Sequence, residues 1–592
     1  MTFVQEWFVT CLALVVSGIC GGFLIVPFRC QRPHVVLAAP LAGILVIILG
    51  IALLYSTLAV PVRTAGIVVV ASAALVTALS VRSVGARPRL RQLGGLIVLA
   101  AALAAVTTWA TCYASMVDNS PSLLFLYGTD QGGYAQTAEW LNRHPVSVQP
   151  LAEAHDPLTS WPAYEFQVDP RFGSFFGLAF ISSIRGIPSL FQFDSATSIL
   201  LSAGILAVCG VFSESPAGLI VLAVGLTFSH WYDYSRTGFL GKLAGYPSAM
   251  LLTGMFLALP QNTSLTALAC ILVVAAGAAS VYIGAVAAGF LVLVGGTVVG
   301  LQFLSGIKCR SAREQSVNRL LVLAMAAGVS IATSGILARP LAIGYPNLNV
   351  GDWGSIIARA LDLESQQFNV TTLSGDRLAI VVIALCACAL FGLMLGVRQK
   401  KWIMVGLFLA PFLVITVLVV LDRPATALQL AGALYPVWLA ASAGLLTTSM
   451  RMPELARRWS HSAIAALVAI GLIGTHVPHG YGNWVLYTGS AVPASARYSL
   501  ADFTRLENSI GASPVVVDSD NLAQIESVLS VFGPEGLAIQ WSPRSWSTAV
   551  PYRNWPPPEP SNAPGLWLVD ASQPAMGEVI ERTPQFLLVR RG

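Results

Sequence analysis

Val35-Val36-Leu37-Ala38-Ala39-Pro40-Leu41-Ala42-Gly43-Ile44-Leu45-Val46-Ile47-Ile48-Leu49-Gly50-Ile51-Ala52-Leu53-Leu54-Tyr55-Ser56-Thr57-Leu58 is a run of 24 residues without a charge. At 1.5 Å per residue such a helix covers about 36 Å, more than the roughly 30 Å hydrocarbon core of a bilayer. The chain repeats runs of this kind along most of its length. Of its 592 residues 55% are apolar and 10% charged, and the mean hydropathy is +0.72. These values exclude an ordinary soluble enzyme and define a polytopic α-helical membrane protein. The start, Met1-Thr2-Phe3-Val4-Gln5-Glu6, has no basic n-region, so the first apolar segment reads as a retained span and not a signal peptide. The nine cysteines are scattered and none follows residue 478, which suggests neither a disulfide framework nor a Cys-based metal site.

Charge sets the expected topology. Five short basic loops carry Arg29 and Arg32; Arg82, Arg87, Arg89 and Arg91; Lys308, Arg310, Arg313 and Arg319; Arg398, Lys400 and Lys401; and Arg451, Arg457 and Arg458. Only Glu314 and Glu454 oppose them. Basic loops stay cytoplasmic, so the net charge of +5 is a topological marker and no nucleic-acid partner is implied. Spans near 7–27, 35–58, 64–81 and 94–113 then deliver residue 114 to the outside. Five crossings near 195–212, 216–230, 245–260, 264–281 and 284–304 follow, with the run at 173–190 lying in the interface or re-entering. Five more, near 320–338, 378–397, 402–421, 425–448 and 460–478, give about fourteen in all. The expected division is a transmembrane domain over 1–478 and a small extracytoplasmic α/β domain over 479–592. In the latter, Leu500–Ile510 and Leu522–Val531 have helical periodicity. Pro514–Asp518, Leu537–Trp541, Leu566–Val569 and Phe586–Val589 have strand character.

This topology gathers the polar chemistry outside. The external loop 114–194 is acidic and contains Tyr127-Gly128-Thr129-Asp130-Gln131-Gly132-Gly133-Tyr134, followed by the amphipathic run Ala135–Leu141. A carboxylate held against the membrane surface at Asp130 can act as general base on a hydroxyl, contribute to a divalent cation site, or cap the helix that follows. Asp156, beside His155, is a candidate second acid, and no metal site is assigned. A second external loop, His230–Lys242, interleaves Trp231, Tyr232, Asp233 and Tyr234 with Arg236 and Lys242. Aromatic faces with polar groups suit a sugar ring, and the two cations suit a phosphate. The same pattern also fits an interfacial aromatic belt with snorkelling cations. Lys242 is one of four lysines, and the other three lie in the basic loops. Arg339, leaving a span on the outer side, is a third candidate phosphate ligand.

Asp130-Gln131-Gly132-Gly133-Tyr134, with Ala138 and Leu141, resembles the acidic motif in the first large external loop of the GT-C superfamily of polytopic glycosyltransferases. The interfacial run and the external tail resemble that architecture too. Two departures stand out: Gln131 replaces the usual second acid, and three spans precede the one that leads into the motif loop. The resemblance implies an inverting transfer from a polyprenyl-phosphate-linked sugar to a glycan, lipid or protein acceptor. Asp130 would serve as base, and Arg236, Lys242 and Arg339 would hold the donor phosphate. Trp231, Tyr232, Asp233 and Tyr234 would line the sugar pocket, with Mg or Mn optional. A lipid-linked oligosaccharide polymerase or ligase, and a transporter or flippase, remain the alternatives. Arg outnumbers Lys 29 to 4, which fits a GC-rich bacterial genome and hence a plasma-membrane protein with a periplasmic or extracellular active face.

Overall fold

The computed structural model of the protein describes residues 3–28, 33–84, 90–124, 129–145, 172–213, 240–258, 265–281, 497–532, 539–549 and 564–592, with a few isolated helical residues between 219 and 420. Four long helices open the chain: α1 (Phe3–Ile25), α2 (Ala39–Leu58), α3 (Val62–Val84) and α4 (Leu90–Thr111). The short α5 (Tyr113–Asp118) and the strand β1 (Ser122–Leu124) lead to α6 (Thr129–Arg143). Then follow α7 (Phe172–Arg185), α8 (Ser189–Phe212), α9 (Leu240–Leu257) and α10 (Leu265–Val281). Five helices among the described residues are long and apolar enough to cross a bilayer, at 3–28, 34–58, 62–82, 94–111 and 189–212. The protein is a helical membrane protein, and these five coincide with expected spans. Apart from those isolated residues, the expected span near 216–230 and those from 284 onward lie outside the described residues.

Burial grades across the bundle. Helix α8 is enclosed on all sides, whereas α3 is largely exposed. On α1 the exposed residues Val4, Phe8, Leu12, Val15 and Ile19 recur every three or four positions, as a lipid-facing stripe does. The opposite face of α1 meets α2 almost backbone to backbone. A Cβ on Gly21 would overlap the Ala39 carbonyl, and one on Gly43 would overlap that of Ser17. Small residues permit this approach, which dispersion rewards where lipid offers no hydrophobic drive. Helix α7 has 14 residues, about 21 Å; it is too short to span and packs across α2, α3, α6 and α8.

Several polar side chains inside the bundle pair with one another. Glu6, 2% exposed, pairs with Arg185 at 2.9 Å. Gln192 Oε1 accepts from the same guanidinium at 2.8 Å, and Ser195 Oγ donates to Glu6 at 2.6 Å. One turn deeper, the hydroxyls of Thr10, Thr107, Thr108, Ser198 and Ser202 form a cluster joining α1, α4 and α8.

The C-terminal segment supplies β2 (Arg497–Ser499), α11 (Leu500–Ile510), β3 (Val515–Asp518), α12 (Leu522–Phe532), β4 (Ile539–Trp541), α13 (Pro543–Ala549), β5 (Gly565–Asp570), β6 (Glu578–Arg582) and β7 (Phe586–Arg591). Five strands form one sheet in the order β4-β3-β5-β7-β6. Strand β3 runs parallel to β4 and β5, while β7 is antiparallel to β5 and β6. Alternate residues point to opposite faces. Val516, Trp567, Val569, Leu587 and Val589 close one face, where the Arg591 guanidinium lies 3.8 Å from the Trp567 ring centroid. Val515, Val517, Leu566, Leu568, Phe586 and Leu588 on the other face join a core that continues through α12 and α6 to Phe175, Tyr55 and Ile51 of the bundle.

The segment is fastened to the chain just ahead of the acidic motif. Strand β2 pairs antiparallel with β1, Leu123 opposite Tyr498. Arg497 and Asp118 form a 3.0 Å ion pair. Ser499 occupies the N-cap of α11 without a side-chain cap bond. Instead Ser120 Oγ accepts from the Ala501 N–H at 3.2 Å and the Pro121 carbonyl from Leu500 N–H at 2.9 Å. The α11 start is therefore capped from the bundle side. Phe503 bridges the two parts, its ring 5.8 Å from Phe191, 5.3 Å from Phe532 and 5.9 Å from Phe586.

Candidate active site

Asp130 is the second residue of α6, in the turn where backbone N–H groups lack intrahelical acceptors. Only its backbone is described. The amphipathic pattern leads one to expect a helix with one face open to water. The structure differs: residues 131–141 are all buried. Helices α7 and α8 cover one side of α6 and α12 of the C-terminal segment covers the other. Burial of so polar a helix leaves several side-chain atoms, Gln131 Oε1, Gln136 Oε1 and Thr137 Oγ1 among them, without a hydrogen-bond partner among the described residues.

Tyr134, one turn after Asp130, fixes α6 to the bundle. Its ring lies 4.9 Å from that of Phe175 and 6.1 Å from that of Phe193, and it is 1% exposed. Its Oη accepts a hydrogen bond from the Gly241 backbone N–H at 3.0 Å. Gly241 is the second residue of α9 and Lys242 the third, so the structure brings the helix of Asp130 to the start of the helix that carries Lys242. Glu139, five residues further on, accepts from the Ser189 N–H at 2.6 Å and from Ser182 Oγ at 3.4 Å. That carboxylate caps α8.

These contacts also set the level of each element. Tyr134 lies against Phe193 and Glu139 against Ser189, so α6 and α8 run in opposite directions. Thr197, one turn beyond Phe193, is therefore level with position 130. Its hydroxyl is fully buried and has no partner among the described residues. The arrangement is a polar junction at one end of the bundle, formed by the first turns of α6 and α9 and by Thr197 of α8.

On the side of the C-terminal segment, Glu526 of α12 lies over the same first turn of α6. A Cβ on Gly132 would overlap Glu526 Oε2 and fall 2.7 Å from the Glu526 Cβ. Glu526 is 6% exposed. Sequence reading passed over it, because the only local signal was an isolated Glu on an apolar helix nearly four hundred residues from the motif.

The carboxyl ends of β3 and β5, where parallel sheets commonly bind ligands, are filled by their own side chains. Gln524 Nε2 donates to Asp570 Oδ2 at 3.1 Å and to the Gln585 carbonyl at 3.0 Å, and Ser519 Oγ donates to Gln524 Oε1 at 2.5 Å. Ser542 Oγ donates to Asp518 at 2.7 Å. Among the described residues these side chains bond to one another across that edge of the sheet.

Of the other expected site residues, Asp156, Trp231, Tyr232, Asp233, Tyr234, Arg236 and Arg339 lie outside the described residues. Among the described residues no group of three His, Cys, Asp or Glu comes together as a metal site. No protein-family model matches the chain, and no curated protein matches it.

Proposed function

We propose that the protein is a membrane glycosyltransferase that moves a sugar from a polyprenyl-phosphate donor to a hydroxyl acceptor, with inversion. The observation that supports this reading best is the Tyr134–Gly241 hydrogen bond. It joins the helix with Asp130 in its first turn to the helix with Lys242 in its first turn, and such a transfer needs both groups at one place. In this reading the Asp130 carboxylate takes the proton of the acceptor hydroxyl as its oxygen attacks the anomeric carbon. The bond from that carbon to the phosphate oxygen breaks, and the negative charge gathers on the departing polyprenyl phosphate. Lys242 and the positive end of α9 stabilise that charge without reorganising. Arg236 and Arg339 add to the phosphate site, while Trp231, Tyr232, Asp233 and Tyr234 receive the sugar. The site faces the outer side of a bacterial plasma membrane, and the lipid tail of the donor lies against the bundle.

The test is transfer by the purified protein in lipid from a panel of polyprenyl-phosphate sugars, with Asp130→Asn alongside. Loss of a general base costs about 10²- to 10⁴-fold, so a folded Asp130→Asn retains at most about 1% of the wild-type rate. Full activity in that variant removes Asp130 from the mechanism. The buried hydroxyl cluster of α1, α4 and α8 favours a second reading, a transporter, since polar groups inside a membrane often mark a path. Flux of a labelled lipid or sugar into sealed vesicles, without transfer, would select it.

A further inference from the structure

We propose that Glu526 is a positioning residue of the Asp130 centre, supplied by the C-terminal segment. The proposal rests on the transferase reading for its kinetic consequence, but its structural part stands separately. Glycine inside a helix costs about 1 kcal/mol relative to alanine, yet α6 carries Gly132 where Glu526 of α12 packs against it. The space that a side chain at 132 would need is taken by the Glu526 carboxylate. Packing alone does not explain that choice. Ile525, Val528, Leu529 and Phe532 on the same helix are apolar and buried, and a leucine or methionine at 526 would fill the gap without the cost of desolvating an acid.

A carboxylate suits this position because the first turn of α6 presents free amide groups and the positive end of a helix dipole. Glu526 brings its carboxylate against Gly132 in that turn. The neighbouring Gln131 is neutral, and the fold brings Glu526 to the turn that carries Asp130 from nearly four hundred residues away. Helix α6 is thus bonded to α9 through Tyr134, one turn beyond position 130, and its first turn is packed by the Glu526 side chain of α12. Placement of a reacting group is sensitive, and a shift of about 1 Å costs on the order of 10²-fold in rate. Charge at 526 therefore sets how well position 130 is presented.

The experiment compares Glu526→Gln, which keeps the shape and removes the charge, with Glu526→Asp, which keeps the charge. Both are made in the full chain in lipid nanodiscs. Amide hydrogen exchange is followed in the peptide covering 129–143 and, as an internal control, in the sheet peptides of β3, β5 and β7. Glu526→Gln is expected to speed exchange in the first turn of α6 about threefold to tenfold, with the sheet unchanged and Glu526→Asp close to wild type. In the transfer assay Glu526→Gln lowers kcat about tenfold with KM within about twofold, and Glu526→Asp recovers most of the loss. Gly132→Ala, which leaves Glu526 in place but forces it off the turn, must reproduce the loss of kcat. Unchanged exchange in Glu526→Gln overturns the proposal, and so does faster exchange with unaltered kcat. Exchange that responds as expected in a protein that transfers no sugar counts against the transferase reading alone.

Discussion

Tyr134 Oη accepts a hydrogen bond from the backbone N–H of Gly241, 107 residues away, at 3.0 Å. Both groups are buried, so the bond has no competition from bulk water. Tyr134→Phe keeps the ring against Phe175 and Phe193 but leaves the buried Gly241 N–H without this acceptor. Leaving one buried partner unsatisfied costs about 1–3 kcal/mol. The expected result is a protein that still folds, with a lower midpoint in thermal unfolding and a reduced transfer rate. A melting midpoint equal to wild type would show that the contact holds nothing together.

The Glu6–Arg185 pair ties the first turn of α1 to the last residue of α7. Removing one member of a buried pair leaves an uncompensated charge, which costs about 3–5 kcal/mol, whereas replacing both with apolar residues is often neutral. Arg185→Met alone is therefore expected to be poorly folded. Glu6→Leu with Arg185→Met together should regain most of the stability. Unfolding measured for the two single variants and the double variant gives the coupling energy. Additive single effects would mean that the two charges do not act as a pair.

The membrane helices were legible because hydropathy is a property of a local window. The run 35–58 reappears as the helix 34–58, and 195–212 as 189–212. Elements of the C-terminal segment were equally local: Leu500–Ile510 and Leu522–Phe532 are helices, and Val515–Asp518 and Phe586–Arg591 are strands. Strand β6 escaped notice because Glu578-Val579-Ile580-Glu581-Arg582 lies at a sheet edge, where charges are tolerated and the alternation is weak. The candidate site was legible only in part. Asp130 and Lys242 could be named as candidates from residue type and topology, but the burial of α6 could not. It depends on a segment that begins at Arg497, and the pairing of Leu123 with Tyr498 or of Gly132 with Glu526 leaves no trace in either local stretch.

Phe503 is the apolar pin between the two parts, 1% exposed and in ring contact with Phe191 on the bundle side. Truncating a buried phenylalanine costs about 3–5 kcal/mol. Phe503→Ala is expected to loosen the C-terminal segment as a unit, so that amides of β2, α11 and the buried face of α6 exchange faster together. Exchange that rises only in α11 would place the main attachment elsewhere, in the β1–β2 ladder or the Arg497–Asp118 pair.

The same interface is expected to weaken in alkali. Tyr498 is 1% exposed, and burial, with a smaller contribution from Asp570, pushes its phenol well above the usual tyrosine range. In the unfolded chain a tyrosine ionises at about pH 10. The folded protein thus holds this proton more tightly than the unfolded one. The stability linked to it is complete below about pH 10 and is lost as pH rises toward the folded value. Tyr498→Phe cannot ionise and escapes that loss. Stability of wild type and Tyr498→Phe, measured from pH 8 to pH 11.5, should therefore differ by a constant amount up to about pH 10 and then converge or cross as the wild type alone declines. Parallel curves over the whole range would mean that the phenol is not held in its neutral form by the fold, and the alkaline sensitivity would have to come from other groups.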